Sequence, residues 1–83
     1  MEKTVLVILV SRRDDKIIEL QKILSQYGGI IKTRLGLHDI SEGVDCGLII
    51  LELVGGEKEK KEAFQKALQK HESIKFKLVS LSI

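Results

Sequence analysis

Two short apolar runs constrain this chain more than any other feature. Residues 4–10 read TVLVILV and residues 46–54 read CGLIILELV. Neither alternates between apolar and polar positions, apart from Glu52 in the second, and both are rich in β-branched side chains. At seven and nine residues they are too short to cross a bilayer, and the first is too short to serve as the hydrophobic stretch of a signal peptide. A short unbroken apolar run is the pattern of a strand in the interior of a sheet, with apolar neighbours on both of its faces. The rest of the chain must therefore supply edge strands and covering layers for two central strands. With 83 residues it has little material to do so, since a domain of this size buries only about 60% of its unfolded surface.

The remaining segments fit those roles. From residue 14 to residue 27, Ile17, Leu20, Ile23, Leu24 and Tyr27 recur at helical spacing, and Ser11 with Asp14 resembles a capping box with Asp in place of Glu. Gly28 and Gly29 are expected to stop this helix in the left-handed conformation. Residues 30–37 place Ile31, Thr33, Leu35 and Leu37 on one face, with Lys32, Arg34 and Gly36 on the other, as an edge strand would. A polar loop over 38–45 leads into the second apolar run. Residues 57–71 then carry Ala63, Phe64, Ala67, Leu68 and His71 on one stripe of a helix, with Glu57 to Lys61 and Glu62 to Lys66 spaced for ion pairs. The final IKFKLVSLSI sets Lys75 and Lys77 opposite Ile74, Phe76 and Leu78, the pattern of a second edge strand.

The order is βαββαβ in one domain over residues 1–83, with no Pro, no linker and no low-complexity stretch. The fold class it predicts is α+β: a ferredoxin-like two-layer sandwich with a four-stranded antiparallel sheet, strands one and three central, and both helices on one face. That arrangement leaves one apolar face of the central strands without cover. An even hairpin register would put Lys32, Arg34 and Gly36 on this open face with Cys46, Leu48, Ile50 and Glu52, and Leu35, Ile49, Leu51 and Leu53 in the helix-packed core. The expectation is a homo-oligomer, dimer or tetramer, with Lys32, Leu48, Ile50 and Glu52 at its interface. Glu52 would then pair with Lys32 or Arg34, because a lone carboxylate in such a surface is costly.

Several functions are excluded on composition. Fourteen Lys+Arg against twelve Asp+Glu leave a charge of +2, short of the basic excess of a dedicated nucleic-acid binder. One Tyr, two Phe and no Trp provide neither a base-stacking platform nor an aromatic cage. The single Cys cannot form an internal disulfide, which suits a reducing cytoplasm, and no segment suits a membrane. His38 and Cys46 could meet across the hairpin mouth with Asp39, Glu42 and Asp45 nearby. Two soft ligands fall short of the four that structural zinc takes, so a divalent-metal site would need ligands pooled from two chains. As a nucleophile and base the same pair lacks an orienting third group. The two glycines of VGGEKEK precede a helix in the manner of an anion cradle but without its Lys-Ser/Thr, and turn chemistry explains them.

At YGGIIKTRLG, after an amphipathic helix and before a short loop and GLIILEL, the chain resembles the ACT-like regulators of the iron-only hydrogenase system, which are related in fold to the ligand-binding domain of the nickel-responsive repressor. The residues that carry the resemblance are Tyr27-Gly28, the step from Arg34 to Gly36, and Gly47 at the start of the third strand. It departs after Gly36, where His38 and an acidic loop replace a Pro-Tyr-type segment, and in the second helix, where FQKALQK stands instead of a Gly-Lys-Leu-Gly-like stretch. The resemblance implies a ferredoxin-like fold, oligomerisation through the sheet, and a regulatory role without a DNA-binding segment.

The resulting expectation is a cytoplasmic, non-enzymatic sensor without a cofactor, which binds a small ligand or a partner protein. The ligand-binding residues would be Arg34, Gly36, His38 and Gly47. A nickel-type metal sensor using His38 and Cys46 is the alternative, although Ile40 stands where that repressor's second His would be. A small α+β-barrel enzyme is the third reading.

Overall fold

The computed structural model describes residues 1–11, 14–37 and 46–83. Its elements are β1 (Glu2–Ser11), α1 (Asp14–Gln26), a 3₁₀ turn (Gly28–Ile30), β2 (Ile31–Leu37), β3 (Cys46–Leu53), α2 (Lys58–Gln69) and β4 (Ile74–Ser82). The four strands form one antiparallel sheet in the order β2-β3-β1-β4. The two unbroken apolar runs are thus the central strands and the two alternating segments are the edges. This is the ferredoxin-like α+β architecture.

Strand alternation sorts the side chains between the two faces. On β1, Thr4, Leu6, Ile8 and Val10 point toward the helices and are buried. They lie opposite Leu53, Leu51, Ile49 and Gly47 of β3 and Ser80, Leu78, Phe76 and Ile74 of β4. The helices seal this layer with Leu20, Ile23 and Leu24 from α1 and Phe64 and Leu68 from α2. Phe64 is fully enclosed, and its ring packs against that of Tyr27 at 5.1 Å between centroids. The stripe expected on the second helix is narrower than its spacing suggests. Phe64 and Leu68 are buried and Ala67 is half-buried, whereas Ala63 is exposed and His71 lies beyond the helix end.

Two local expectations are corrected. Gly28 and Gly29 do not adopt left-handed backbone. They open a 3₁₀ turn, in which Ile30 N–H donates to Tyr27 O at 3.1 Å, so the chain leaves α1 by tightening its last turn. The left-handed positions among the described residues are Gly56 (φ 71°) and Glu57 (φ 52°), directly before α2. There a glycine is suited to its place, while Glu57 adopts a conformation that side chains disfavour. Glu57 pairs with Lys60 at 3.5 Å rather than with Lys61.

Candidate functional site

The helix-free face carries the odd-numbered residues of β1 and their cross-strand partners. Reading across β2, β3, β1 and β4, one row is Leu35, Ile50, Val7 and Lys77, and the next is Leu37, Leu48, Leu9 and Lys75. Toward the sheet end that holds Lys3, the row is Thr33, Glu52, Val5 and Val79, followed by Lys3 and Leu81. Six apolar side chains therefore form a continuous block over three strands, extended by Val5, Val79 and Leu81. Leu9, Leu35, Leu37, Val79 and Leu81 are exposed, and Val5, Val7, Leu48 and Ile50 are half-buried. The field is on the order of the 300–600 Å² reached by the largest patch on a monomer, which is often functional. Lys75 and Lys77 border it on β4, and a charged cluster borders it at the end of β3. An apolar centre within a polar rim is the anatomy of a protein interface.

The strand-two side of this face differs from the expectation, for a local reason. Ile31 opposes Leu53 and Thr33 opposes Glu52, so Lys32 is an extra residue in β2 and the pairing slips there. One inserted residue exchanges the faces of everything that follows it. Leu35, expected in the core, is 51% exposed on the open face beside Ile50. Arg34 and Gly36, expected on the open face, lie opposite Leu51 and Ile49 on the helix side. Arg34 does not pair with Glu52. Its guanidinium donates to Gln21 Oε1 of α1 at 2.8 Å, tying the edge strand to the helix. Gly36 has open space where a side chain would stand, and Gly47 is on the helix side opposite Val10.

Glu52 sits at the rim of the block. Lys3 Nζ donates to its Oε2 at 3.0 Å, and Lys32 Nζ stands 3.9 Å from the same oxygen. The hydrogen bond from Lys3 holds the carboxyl below its ordinary value, aided by both positive charges and opposed by partial desolvation. Lys3 is raised in turn, chiefly by that same hydrogen bond. Of the two partners expected from the sequence, Lys32 or Arg34, only Lys32 is near Glu52, and the closer partner, Lys3, was not foreseen. Lys3 lies two positions along β1 from Val5, the residue opposite Glu52, so the link required the β1–β3 register.

His38 lies outside the described residues, as do Asp39, Glu42 and Asp45. Cys46 is a free thiol, half-buried, on the open face opposite Ser11. Among the described residues no three His, Cys, Asp or Glu side chains converge as a metal site, and no helix is long and apolar enough to cross a membrane.

No family model and no curated protein matches this sequence. Similarity appears among solved structures. An uncharacterized protein of Thermotoga maritima superposes with a TM-score of 0.73 at 18% identity, covering 99% of this chain and 100% of that one. The PII-like protein CPII of Thiomonas intermedia K12, bound to ADP, AMP and acetate, gives 0.64 at 13% identity over 99% and 88% of the two chains. A dimeric ferredoxin-like protein of unknown function from Thermobifida fusca gives 0.52 at 12% identity over 98% and 92%. At these identities the likeness establishes the shared fold, over almost the full length of each chain.

Proposed function

We propose that this chain is a small non-enzymatic regulatory domain that works as a homo-oligomer joined through its helix-free sheet face. The observation that carries this reading is the apolar block of Leu35, Leu37, Leu48, Ile50, Val7 and Leu9, left open to solvent by a fold that covers only one side of its sheet. Burying such a field against a second copy would contribute several kcal/mol at about 25 cal/mol per Å². That is comparable with the whole stability of a small domain. The interface holds Leu48 and Ile50 at its centre, with Lys32 and Glu52 at its rim.

The similar folds support a regulatory role by analogy of architecture. One belongs to a nitrogen regulatory PII-like protein that carries adenine nucleotides, and another to a dimer. The sequence resemblance to regulators of the iron-only hydrogenase system supports the same class and offers that system as the regulated one. A small acidic ligand would bind along the β2 edge. Arg34 is exposed there, and its contact with the neutral Gln21 amide leaves other guanidinium donors for a carboxylate or phosphate. Native mass spectrometry of protein taken directly from the cell, with light scattering of the purified chain, tests the reading. Dimers or higher oligomers at low micromolar concentration are expected, and a strictly monomeric chain would overturn it.

A further inference from the structure

A second feature lies where α2 ends and β4 begins, at the margin of the sheet. Two clefts meet there. The larger, about 510 Å³, is lined by Lys16 of α1 together with Lys70, His71, Glu72 and Ser73. The smaller, about 370 Å³, is lined by Gln69, His71, Glu72, Ile74, Lys75 and Phe76, so His71 and Glu72 form a shared wall. The turn between them is held by its own backbone. His71 N–H donates to Leu68 O at 3.2 Å, Ile74 N–H to His71 O at 3.1 Å, and Ser11 N–H to Ser73 O at 3.4 Å.

Lys16 of α1 and Lys70, just past the end of α2, thus border the larger cleft, and Lys75 of β4 borders the smaller one across the wall that holds Glu72. Among the described residues Lys16 has only the exposed Asp15 within ion-pair distance, at 3.8 Å, and Lys70 and Lys75 have no acid that close. Cations after a helix C-terminus complement its dipole, which accounts for Lys70 and His71. That effect does not account for Lys16, which belongs to the first turns of another helix. Nor does it account for Ser73, a residue of the larger cleft's wall, whose buried Oγ has no hydrogen-bond partner among the described residues. A buried hydroxyl left unpaired is costly and points to a missing partner.

We propose that this corner binds the phosphoryl group of a small molecule. Lys16 and Lys70 supply charge in the larger cleft and Lys75 adds to it from the smaller, against the single Glu72 carboxylate of the shared wall; His71 and the Ser73 hydroxyl supply directed hydrogen bonds, and the two clefts leave room for the remainder of the ligand. A phosphoryl group fits better than a single carboxylate, because the lysines on the two sides of the shared wall outnumber its one carboxylate, Glu72, and match a doubly charged anion with several acceptor oxygens. Of the site's lysines only Lys75 also borders the open sheet face, and the larger cleft with Lys16 and Lys70 shares no residue with the apolar block, so binding there and self-association are tested separately.

The test is a titration of the intact chain with inorganic pyrophosphate at low ionic strength, followed by backbone amide NMR. Saturable shifts confined to Lys16 and to residues 69–75 are expected. The double variant Lys16→Gln/Lys70→Gln should weaken binding roughly tenfold or more, the loss expected when a charge-assisted hydrogen bond goes. The variant Lys58→Gln/Lys60→Gln removes the same charge from the far end of α2 and should leave the affinity unchanged. Ser73→Ala should weaken binding several-fold at an unchanged or higher Tm. Equal weakening by the two lysine pairs, or shifts that do not saturate by roughly 10 mM, would overturn the site, because the attraction would then be only that of a cationic surface.

Discussion

Replacing Leu35 by Ala separates the oligomer reading from a solitary domain, because the slip at Lys32 moves this side chain from the core to the open face. Leu35 is 51% exposed. Full burial of a Leu side chain is worth about 1.5–3 kcal/mol, so the exposed half holds about 1 kcal/mol that the monomer does not use. A twofold interface would recover it once per subunit. Loss of both leucines should therefore cost about 2 kcal/mol of association, close to a 30-fold rise in the dimer Kd. Truncation of an exposed side chain should leave the monomer's unfolding free energy within about 0.5 kcal/mol of the parent. Sedimentation velocity over a dilution series gives the first quantity, and urea unfolding at concentrations below the Kd gives the second. If the monomer instead loses 2 kcal/mol or more while association is unchanged, Leu35 is a core residue and the face assignment is wrong.

Three further outcomes follow from the geometry. Arg34→Ala should cost about 1 kcal/mol of stability or less through the lost Gln21 contact, with no change in self-association, since it lies on the helix side; a weakened dimer would contradict that placement. Glu52 has a lowered carboxyl in the folded chain, so its pairing with Lys3 stabilises the protein above the ordinary value of 4.5 and is lost as pH falls through the lower folded value. Lys3→Gln should raise the Glu52 titration, read by carboxyl NMR, and weaken the advantage of neutral over acidic pH in Tm; an unmoved titration would refute the assignment of cause. Phe64→Ala empties the centre of the core and should cost about 3–5 kcal/mol in urea unfolding, a large part of the total for a domain of this size.

Much of the fold could be read from local pattern. The absence of alternation in β1 and β3 placed them inside the sheet, and the alternation in β4 placed Lys75 and Lys77 away from the helices, as the cross-strand register has them. Both signals survive small errors of register, because they depend on composition over a whole strand. Strand β2 lacks that protection. Its alternation reads cleanly in a register without an insertion, and nothing in IIKTRLGL marks Lys32 as the inserted position. The stop of α1 was misjudged for a related reason. A Gly-Gly pair allows left-handed backbone without demanding it, and the Ile30 carbonyl, which accepts from Val54 N–H at 2.9 Å, belongs to a 3₁₀ path instead.

The sequence alone determined the element order, the central and edge strands and the existence of an uncovered apolar sheet face, since periodicity and apolar content are properties of each segment by itself. The tertiary structure decided which residues of β2 reach that face, that Lys3 holds Glu52, and that Lys16 stands with Lys70 and Ser73 around one cleft. Those facts depend on the pairing of residues far apart in the chain. A shift of one residue in that pairing leaves every local pattern intact while it exchanges the neighbours of each side chain.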